Sequence, residues 1–195
     1  NAHPYATPVI GWPADLQRLT VEDAMDYFRT YYSPSNCQMI LVGDIKSSEV
    51  ERLAKQYFAA WKSQSIPRLQ VTMDLEQSGE RRRAVEFDAE PKVSVAWSTV
   101  ALGDKDQAAL ELLGRVLGGL ESSRLDQSIV QGERIASYVS ASQTSMRYGG
   151  WFTVQSAPLG EHTNAELESA FGREIARIQE SGVTPEELER AKVQT

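Results

Sequence analysis

The stretch TVEDAMDYFRTYYSPSNCQMILVGD, residues 20–44, decides the expected fold. Thr20 and Asp23 have the spacing of a capping box, in which two side chains accept hydrogen bonds from the unpaired amides at the start of a helix. Ser33-Pro34 ends this helix, because proline lacks an amide hydrogen and disfavours helical backbone before it. The apolar run Met39–Val42 is typical of a strand buried on both faces. The stretch therefore predicts a helix followed by a buried strand.

A second amphipathic helix is predicted after this strand. Ser47 and Ser48 are candidate N-caps, and Glu49 lies in the first turn. Apolar side chains then recur at helical spacing, at Val50, Leu53, Ala54, Tyr57, Phe58 and Trp61. We expect this stripe to pack on the sheet that holds Met39–Val42.

Residues 68–84 are polar and charged without a sustained period, which is typical of a linker. Beyond them, Val85 and Phe87 indicate a strand region. Val93, Val95 and Trp97 alternate with small or polar residues, which predicts a half-buried strand.

The remaining residues predict a mixture of helices and strands. The apolar positions within 109–117 predict a helix that ends at Gly118-Gly119, and Ser122-Ser123 can cap another that breaks at Gly132. Residues 135–144 and 151–157 are expected to form adjacent strands, with a turn near Gly149-Gly150. Two further helices follow, the first with Gly182 as C-cap and the second starting at Thr184-Pro185. A hairpin-sized connection between strands favours an α+β fold, with a mixed or antiparallel sheet, over a doubly wound parallel sheet.

Composition excludes several classes of function. The 195 residues are 41% hydrophobic and 24% charged, with a net charge of −7, which argues against a nucleic-acid partner. No run of 18 apolar residues occurs, so no transmembrane segment is expected. Cys37 is the single cysteine, which excludes an internal disulfide framework, and its context predicts a small buried apolar residue.

The residues alone give no support for catalysis. His3 and His162 stand apart, without the spacing of a zinc motif, so a surface or capping role is expected for each. The carboxylates of Glu186, Glu187 and Glu189 are expected to form a solvated helix face. We therefore assign no catalytic residue and no metal ligand to this chain.

Several motifs together nevertheless resemble one family. They are HPY at residues 3–5, IGW at 10–12, the unit at 20–44, VLGG at 116–119, SSRL at 122–125 and VTPEELERA at 183–191. In this order and spacing they resemble the pitrilysin/insulinase family of zinc metallopeptidases, most closely its bacterial processing-peptidase-like branch. The resemblance extends over nearly the whole chain.

The resemblance implies two similar α+β domains that close around a peptide chamber. Residues 1–67 would be the C-terminal part of the first domain, 68–84 the linker, and 85–195 the first part of the second, truncated domain. The family's HxxEH zinc site would precede Asn1. This chain would then hold no cofactor and be inactive alone, whereas the intact parent would be a zinc metalloendopeptidase.

The resemblance also suggests substrate-binding residues. Many relatives carry an arginine and, seven residues later, a tyrosine that reach into the chamber. One alignment places Val130 and Ser137 at these positions, and a slip of one residue places Gln131 and Tyr138 there. Gln131, Ser137 and Tyr138 are therefore the candidate substrate-binding residues, and no alignment supplies the arginine. The alternative for Tyr138 is a strand residue that packs on its neighbours.

The leading hypothesis is a non-catalytic portion of a zinc metalloendopeptidase that forms the peptide-binding chamber wall and hinge. The first alternative is a non-catalytic partner or assembly subunit of the same fold, and the second an unrelated α+β binding module. The expected partners are a peptide or unfolded protein and a homo- or hetero-dimeric subunit, in the periplasm or secreted, with the cytoplasm as alternative. Exposed apolar surface and self-association are also expected, because the ends are predicted to interrupt elements.

Overall fold

The chain forms two compact units in a computed structural model, which describes residues 3–68, 70–73 and 77–193. The units are Asn1–Glu80 and Arg81–Thr195, here called unit 1 and unit 2. The division lies within residues 68–84, the segment predicted to be a linker. The assignment of these segments to parts of two peptidase domains stays a prediction.

The described residues of unit 1 form three α-helices: α1 (Pro13–Leu16), α2 (Val21–Tyr31) and α3 (Ser47–Phe58). The predicted capping box at the start of α2 is confirmed. The amide of Thr20 donates to the Asp23 carboxylate at 2.9 Å, and the amide of Asp23 donates to the Thr20 hydroxyl at 3.2 Å. Helix α2 ends before Pro34, as the sequence predicts.

The predicted buried strand Met39–Val42 is wrong. Its backbone is irregular, its four side chains are exposed, and the described part of unit 1 contains no strand at all. A strand needs a neighbour to pair its amides and carbonyls, and none of the described residues of unit 1 supplies one. The run is apolar enough for burial, but burial also requires the partner.

The predicted packing of α3 on a sheet that holds Met39–Val42 is also wrong, because the described residues of unit 1 form no sheet. Tyr57, Phe58 and Trp61 are exposed instead of lying on a sheet. The N-cap is Lys46, without a side-chain cap, rather than Ser47 or Ser48, which lie inside the helix. Exposed apolar surface, as expected from the sequence, is therefore a property of unit 1.

Cys37 is exposed, so its predicted burial is also wrong. It lies between the Pro34–Asn36 turn and the unpaired run, where no layer covers it. The only buried residue in the described part of unit 1 is Ser33. Its hydroxyl accepts from the amide of Gln64 at 2.8 Å.

Unit 2 is built on an antiparallel sheet of three strands: β1 (Val93–Thr99), β2 (Ala136–Met146) and β3 (Gly149–Pro158). The strand order is β1-β3-β2, so β3 pairs with both neighbours. The predicted strand at Val93 and the predicted β2–β3 hairpin are confirmed. The predicted strand region at Val85 and Phe87 is wrong, because both side chains are exposed on irregular backbone.

Three α-helices accompany this sheet: α4 (Gln107–Gly118), α5 (Asn164–Ser181) and α6 (Pro185–Val193). Helix α4 ends at Gly118-Gly119 and α5 is capped by Gly182, as predicted. The helix expected to break at Gly132 has π-helical geometry from Asp126 to Gly132. The predicted α+β fold with an antiparallel sheet and helices on one face is confirmed.

The core of unit 2 lies between the sheet and helices α4 and α5. Its fully buried side chains include Leu117, Leu125, Ile129, Val154, Leu167 and Phe171. Helix α4 approaches β2 closely because two of its residues, Gly114 and Gly118, have no side chain. A Cβ built on Gly118 would lie 3.0 Å from both the amide nitrogen and the Cβ of Ala141, which leaves no space for a methyl group.

We expect Gly118→Ala to lower the free energy of unfolding of unit 2 by about 1–2 kcal/mol, since overpacking must move the helix from the strand. Gly172 provides the matched control, because a Cβ there meets nothing within 4 Å. Gly172→Ala should raise stability by about 0.5–1 kcal/mol through helix propensity. Urea unfolding followed by circular dichroism measures both, and equal effects would contradict the close contact.

Cys37 should react with a thiol reagent such as DTNB in the native chain almost as fast as in urea-unfolded chain, within about threefold, because exposed thiols have no barrier of burial. The rate of thionitrobenzoate release measures this. Protection of about a hundredfold or more would show that Cys37 is covered.

Candidate functional site

The three-stranded sheet of unit 2 has one face that the described helices leave uncovered. Side chains alternate along each strand, and Val95, Ala141 and Val154 lie on the face that packs against α4 and α5. The opposite face is formed by Ser94, Ala96, Ser98, Tyr138, Ser140, Ser142, Thr144, Trp151, Thr153 and Gln155. We call this set the open face; all its members are exposed or half-exposed, whereas Ala157, which pairs with Tyr138 on the same side of the sheet, is buried.

The open face carries hydroxyl groups, one amide and two aromatic rings. The strand register places its residues in rows, such as Ser94–Gln155–Ser140 and Ala96–Thr153–Ser142. Hydroxyl and amide groups both donate and accept hydrogen bonds. Trp151 and Tyr138 are 39% and 38% exposed, so their rings offer apolar contact area as well. This surface can bind a polypeptide without performing chemistry on it.

The structure places Ser137 and Tyr138 together at the start of β2, whereas Gln131 lies apart from the sheet. Tyr138 belongs to the open face. Ser137 sits at a register shift between Ala136 and Tyr138, and its hydroxyl donates to the carbonyl of Ala157 at 3.2 Å. Tyr138 is available to a ligand on the open face, whereas the Ser137 hydroxyl is bonded to Ala157. The substrate-binding role of both residues stays a prediction.

Gln131 lies in the π-helical segment, and its side chain makes hydrogen bonds inside that segment and just before it. Its amide group donates to the carbonyl of Glu121 at 2.9 Å and to the Asp126 carboxylate at 2.7 Å. A substrate contact at Gln131 would have to replace these bonds. Val130, the alternative position for the arginine, is a partly buried apolar residue packed against the core.

A second polar feature lies where the π-helical segment, the end of α5 and the start of α6 meet. The pocket is open, has a volume of about 550 Å³, and is lined by Ser122, Arg124, Gln127, Ser128, Glu174, Arg177, Ser181 and Glu187. Arg124 and Glu187 form a two-point ion pair, with nitrogen–oxygen distances of 2.7 and 2.8 Å. Arg124 also donates to the carbonyl of Gly182 at 2.9 Å.

Sequence reasoning was wrong about Glu187, which is not part of a solvated helix face. Only 16% of its side chain is exposed, and its carboxylate accepts both from Arg124 and from the amide of Thr184. The hydrogen bond from Arg124 is the main reason that the pKa of Glu187 falls from 4.5 to about 2, and burial opposes this effect. The capping pattern at Thr184 indicated one of these contacts, but the arginine is 63 residues away in sequence.

The two histidines have the capping or surface roles that the sequence predicts. Nδ1 of His3 accepts from the amide of Tyr5 at 3.2 Å, and Nδ1 of His162 lies 3.3 Å from the Glu166 carboxylate. Across residues 3–68, 70–73 and 77–193, no three or more His, Cys, Asp or Glu side chains form a group that could hold a metal. The described residues therefore do not fit a zinc ion.

Comparison with known proteins decides the family. The family model described as "Peptidase M16 inactive domain" matches residues 18–195, which is most of the chain. The chain belongs to this family. The resemblance to zinc metallopeptidases inferred from the sequence motifs is confirmed.

Individual relatives of this M16 inactive-domain chain agree with the assignment. "Zinc protease PqqE" of Helicobacter pylori is 29% identical over 200 residues, which cover 98% of this chain and 44% of the relative. The crystal structure of a protease from Helicobacter pylori superposes with a TM-score of 0.78 at 26% identity, over 95% of this chain and 46% of the other. The chain thus spans less than half the length of these relatives.

A more distant neighbour shares the fold alone. The periplasmic protease PqqL from Escherichia coli has a TM-score of 0.59 at 18% identity, over 94% of this chain and 21% of its own.

Within the described residues of the M16 chain, no helix combines the length and the apolar character needed to cross a membrane.

We expect Glu187→Gln to lower the free energy of unfolding of unit 2 by about 2–3 kcal/mol at pH 7, since it leaves the partly buried Arg124 without its charge partner. Glu189→Gln is the control, because that carboxylate is 68% exposed and should contribute no more than about 0.5 kcal/mol.

The difference in stability between wild type and Glu187→Gln should depend on pH. Because the folded pKa of Glu187 lies below its usual value, the carboxylate stabilises the fold above pH 4.5 and loses this effect as the pH falls toward about 2. The difference in the free energy of unfolding between wild type and Glu187→Gln should therefore be constant above about pH 5 and shrink below about pH 4. Urea unfolding at a series of pH values measures it, and a gap that grows in acid would contradict the ion pair.

Proposed function

We propose that this chain is the non-catalytic portion of a zinc-dependent metalloendopeptidase and that it binds extended peptide on the open face of unit 2. The observation that carries this proposal is an antiparallel sheet whose described helices cover one face and leave the other exposed, polar and aromatic. The hydroxyl and amide side chains of this face can exchange hydrogen bonds with the backbone of a peptide, and its aromatic rings can contact peptide side chains. Family membership supports it, because relatives are named as zinc proteases.

In the intact protein, the open face would form part of the wall of a peptide chamber, and residues 68–84 would act as the hinge between two domains. Tyr138 and Ser137 would contact the substrate at one end of β2. Zinc would be held by a part of the protein outside this chain, since the described residues do not fit the ion. The same proposal includes binding of a second subunit, identical or different. It also includes a periplasmic or secreted location, which the structural similarity to the periplasmic protease PqqL supports.

The second candidate is a non-catalytic partner subunit that captures substrate or serves assembly. One observation favours it: the position where many relatives are expected to carry a chamber arginine is occupied by the partly buried Val130. A subunit that captures substrate would also need the open face to bind peptide, whereas an assembly subunit would not. The two candidates differ in whether the parent gene encodes an HxxEH motif upstream of Asn1, so sequencing that region separates them.

We expect the purified chain to bind an unstructured, uncharged peptide with a dissociation constant in the micromolar to millimolar range, which corresponds to a binding free energy of about −4 to −8 kcal/mol. We expect it not to cleave this peptide. Fluorescence anisotropy of a labelled peptide measures binding, and mass spectrometry detects cleavage. Trp151→Ala should weaken binding about tenfold, because it removes an exposed aromatic contact.

Ser169→Ala is the matched control, since Ser169 is exposed on α5, away from the open face. An equal loss of binding in both variants, or no binding by the wild type, would contradict peptide binding at the open face. Cleavage that EDTA abolishes would contradict the non-catalytic assignment.

A further inference from the structure

The three strands of unit 2 share an unusual absence of charge. None of β1, β2 and β3 contains an Asp, Glu, Lys, Arg or His, although 24% of the chain is charged. Strands β1 and β2 lie at the edges of the sheet, where proteins commonly place charges, lysine above all, to prevent unwanted pairing. The open face is therefore neutral over its whole extent, and this neutrality limits what it can bind.

The two aromatic side chains of the open face lie at opposite ends of it. Trp151 on β3 pairs with Thr144, whereas Tyr138 on β2 pairs with Ala157. Trp151 and Ala157 are six residues apart along β3, which corresponds to about 20 Å in a strand. An extended ligand that runs along the strands would span the same distance in about six residues.

Neutral hydroxyl groups fill the space between these aromatic ends. Ser140, Ser142 and Thr153 lie there in adjacent rows of the register. Their hydroxyls can rotate to donate to a peptide carbonyl or accept from a peptide amide. A charged ligand side chain would lose hydration at this surface without meeting an opposite charge, which costs free energy.

We propose that the open face selects extended peptide segments that carry aromatic or large aliphatic side chains six residues apart and uncharged side chains between them. Side chains at even spacing point to the same side of an extended peptide, so both anchors face the sheet together. One anchor contacts Trp151 and the other contacts Tyr138. This inference rests on the proposed function, because it specifies the class of peptide that the same surface binds.

The test compares three labelled nine-residue peptides with the complete chain. The first has phenylalanine at its second and eighth positions and serine, threonine or glutamine elsewhere. The second has the same composition with the two phenylalanines four residues apart. The third is the first with glutamate at its sixth position. We expect the second and third to bind at least about tenfold more weakly than the first by fluorescence anisotropy.

A charge introduced on the open face should reverse one of these preferences. Ser142→Lys places an ammonium group on the central row, and Ser142 is exposed, so the substitution is compatible with folding. This variant should bind the glutamate peptide at least about fivefold more tightly than wild type does and the neutral peptide more weakly. Ser169→Lys, on α5, adds the same charge elsewhere and should change neither affinity by more than about twofold.

The outcomes separate this inference from the proposed function. If all three peptides bind equally and Trp151→Ala weakens each, the surface binds peptide but the spacing and neutrality rule is wrong. If none of the peptides binds, both the rule and the proposed function are overturned. If Ser142→Lys and Ser169→Lys act alike, the selection does not take place on the open face.

Discussion

The close contact between α4 and β2 is the constraint on which the architecture of unit 2 depends. Gly114 and Gly118 face Ala141 and its neighbours, so the helix backbone rests almost directly on the strand. This approach brings Leu117 into the same layer as Val154 and Phe171, where all three are buried. Burying such side chains provides most of the free energy that stabilises a small domain. The described helices of unit 2 lie in one layer on one face and leave the other face of the sheet open.

The Arg124–Glu187 ion pair connects this layer to the C-terminal helix. Glu187 accepts from the amide of Thr184, the residue before α6, and receives two hydrogen bonds from Arg124, so one carboxylate fixes both the start of α6 and the π-helical segment that follows Arg124. The pair combines hydrogen bonds with charge, which makes it stronger than the exposed pairs elsewhere on the surface. Its role in unit 2 is structural, whereas the neutral open face has the chemistry for peptide binding.

Unit 1 shows the difference between forming a local element and burying it. The capping box at Thr20 and the proline after Ser33 act within a few residues, and both work as the sequence predicts. The run Met39–Val42 and the stripe that ends at Trp61 are equally clear in the sequence, yet the described residues of unit 1 leave both exposed. Hydrophobic periodicity reports which face could be buried, but the free energy of burial exists only when another surface covers that face.

The sequence by itself determined most helix ends, the β2–β3 hairpin and the α+β class, because these depend on caps, turns and local periodicity. It also placed Ser137 and Tyr138 at the start of a strand. Only the tertiary structure decided that Tyr138 shares one face with Trp151 and that the Gln131 amide group is bonded to Glu121 and Asp126. It also decided that Cys37 is exposed and that Glu187 is paired with Arg124. The coverage of a surface, and the pairing of strands that no short turn connects, depend on residues distant in sequence, and no local pattern encodes them.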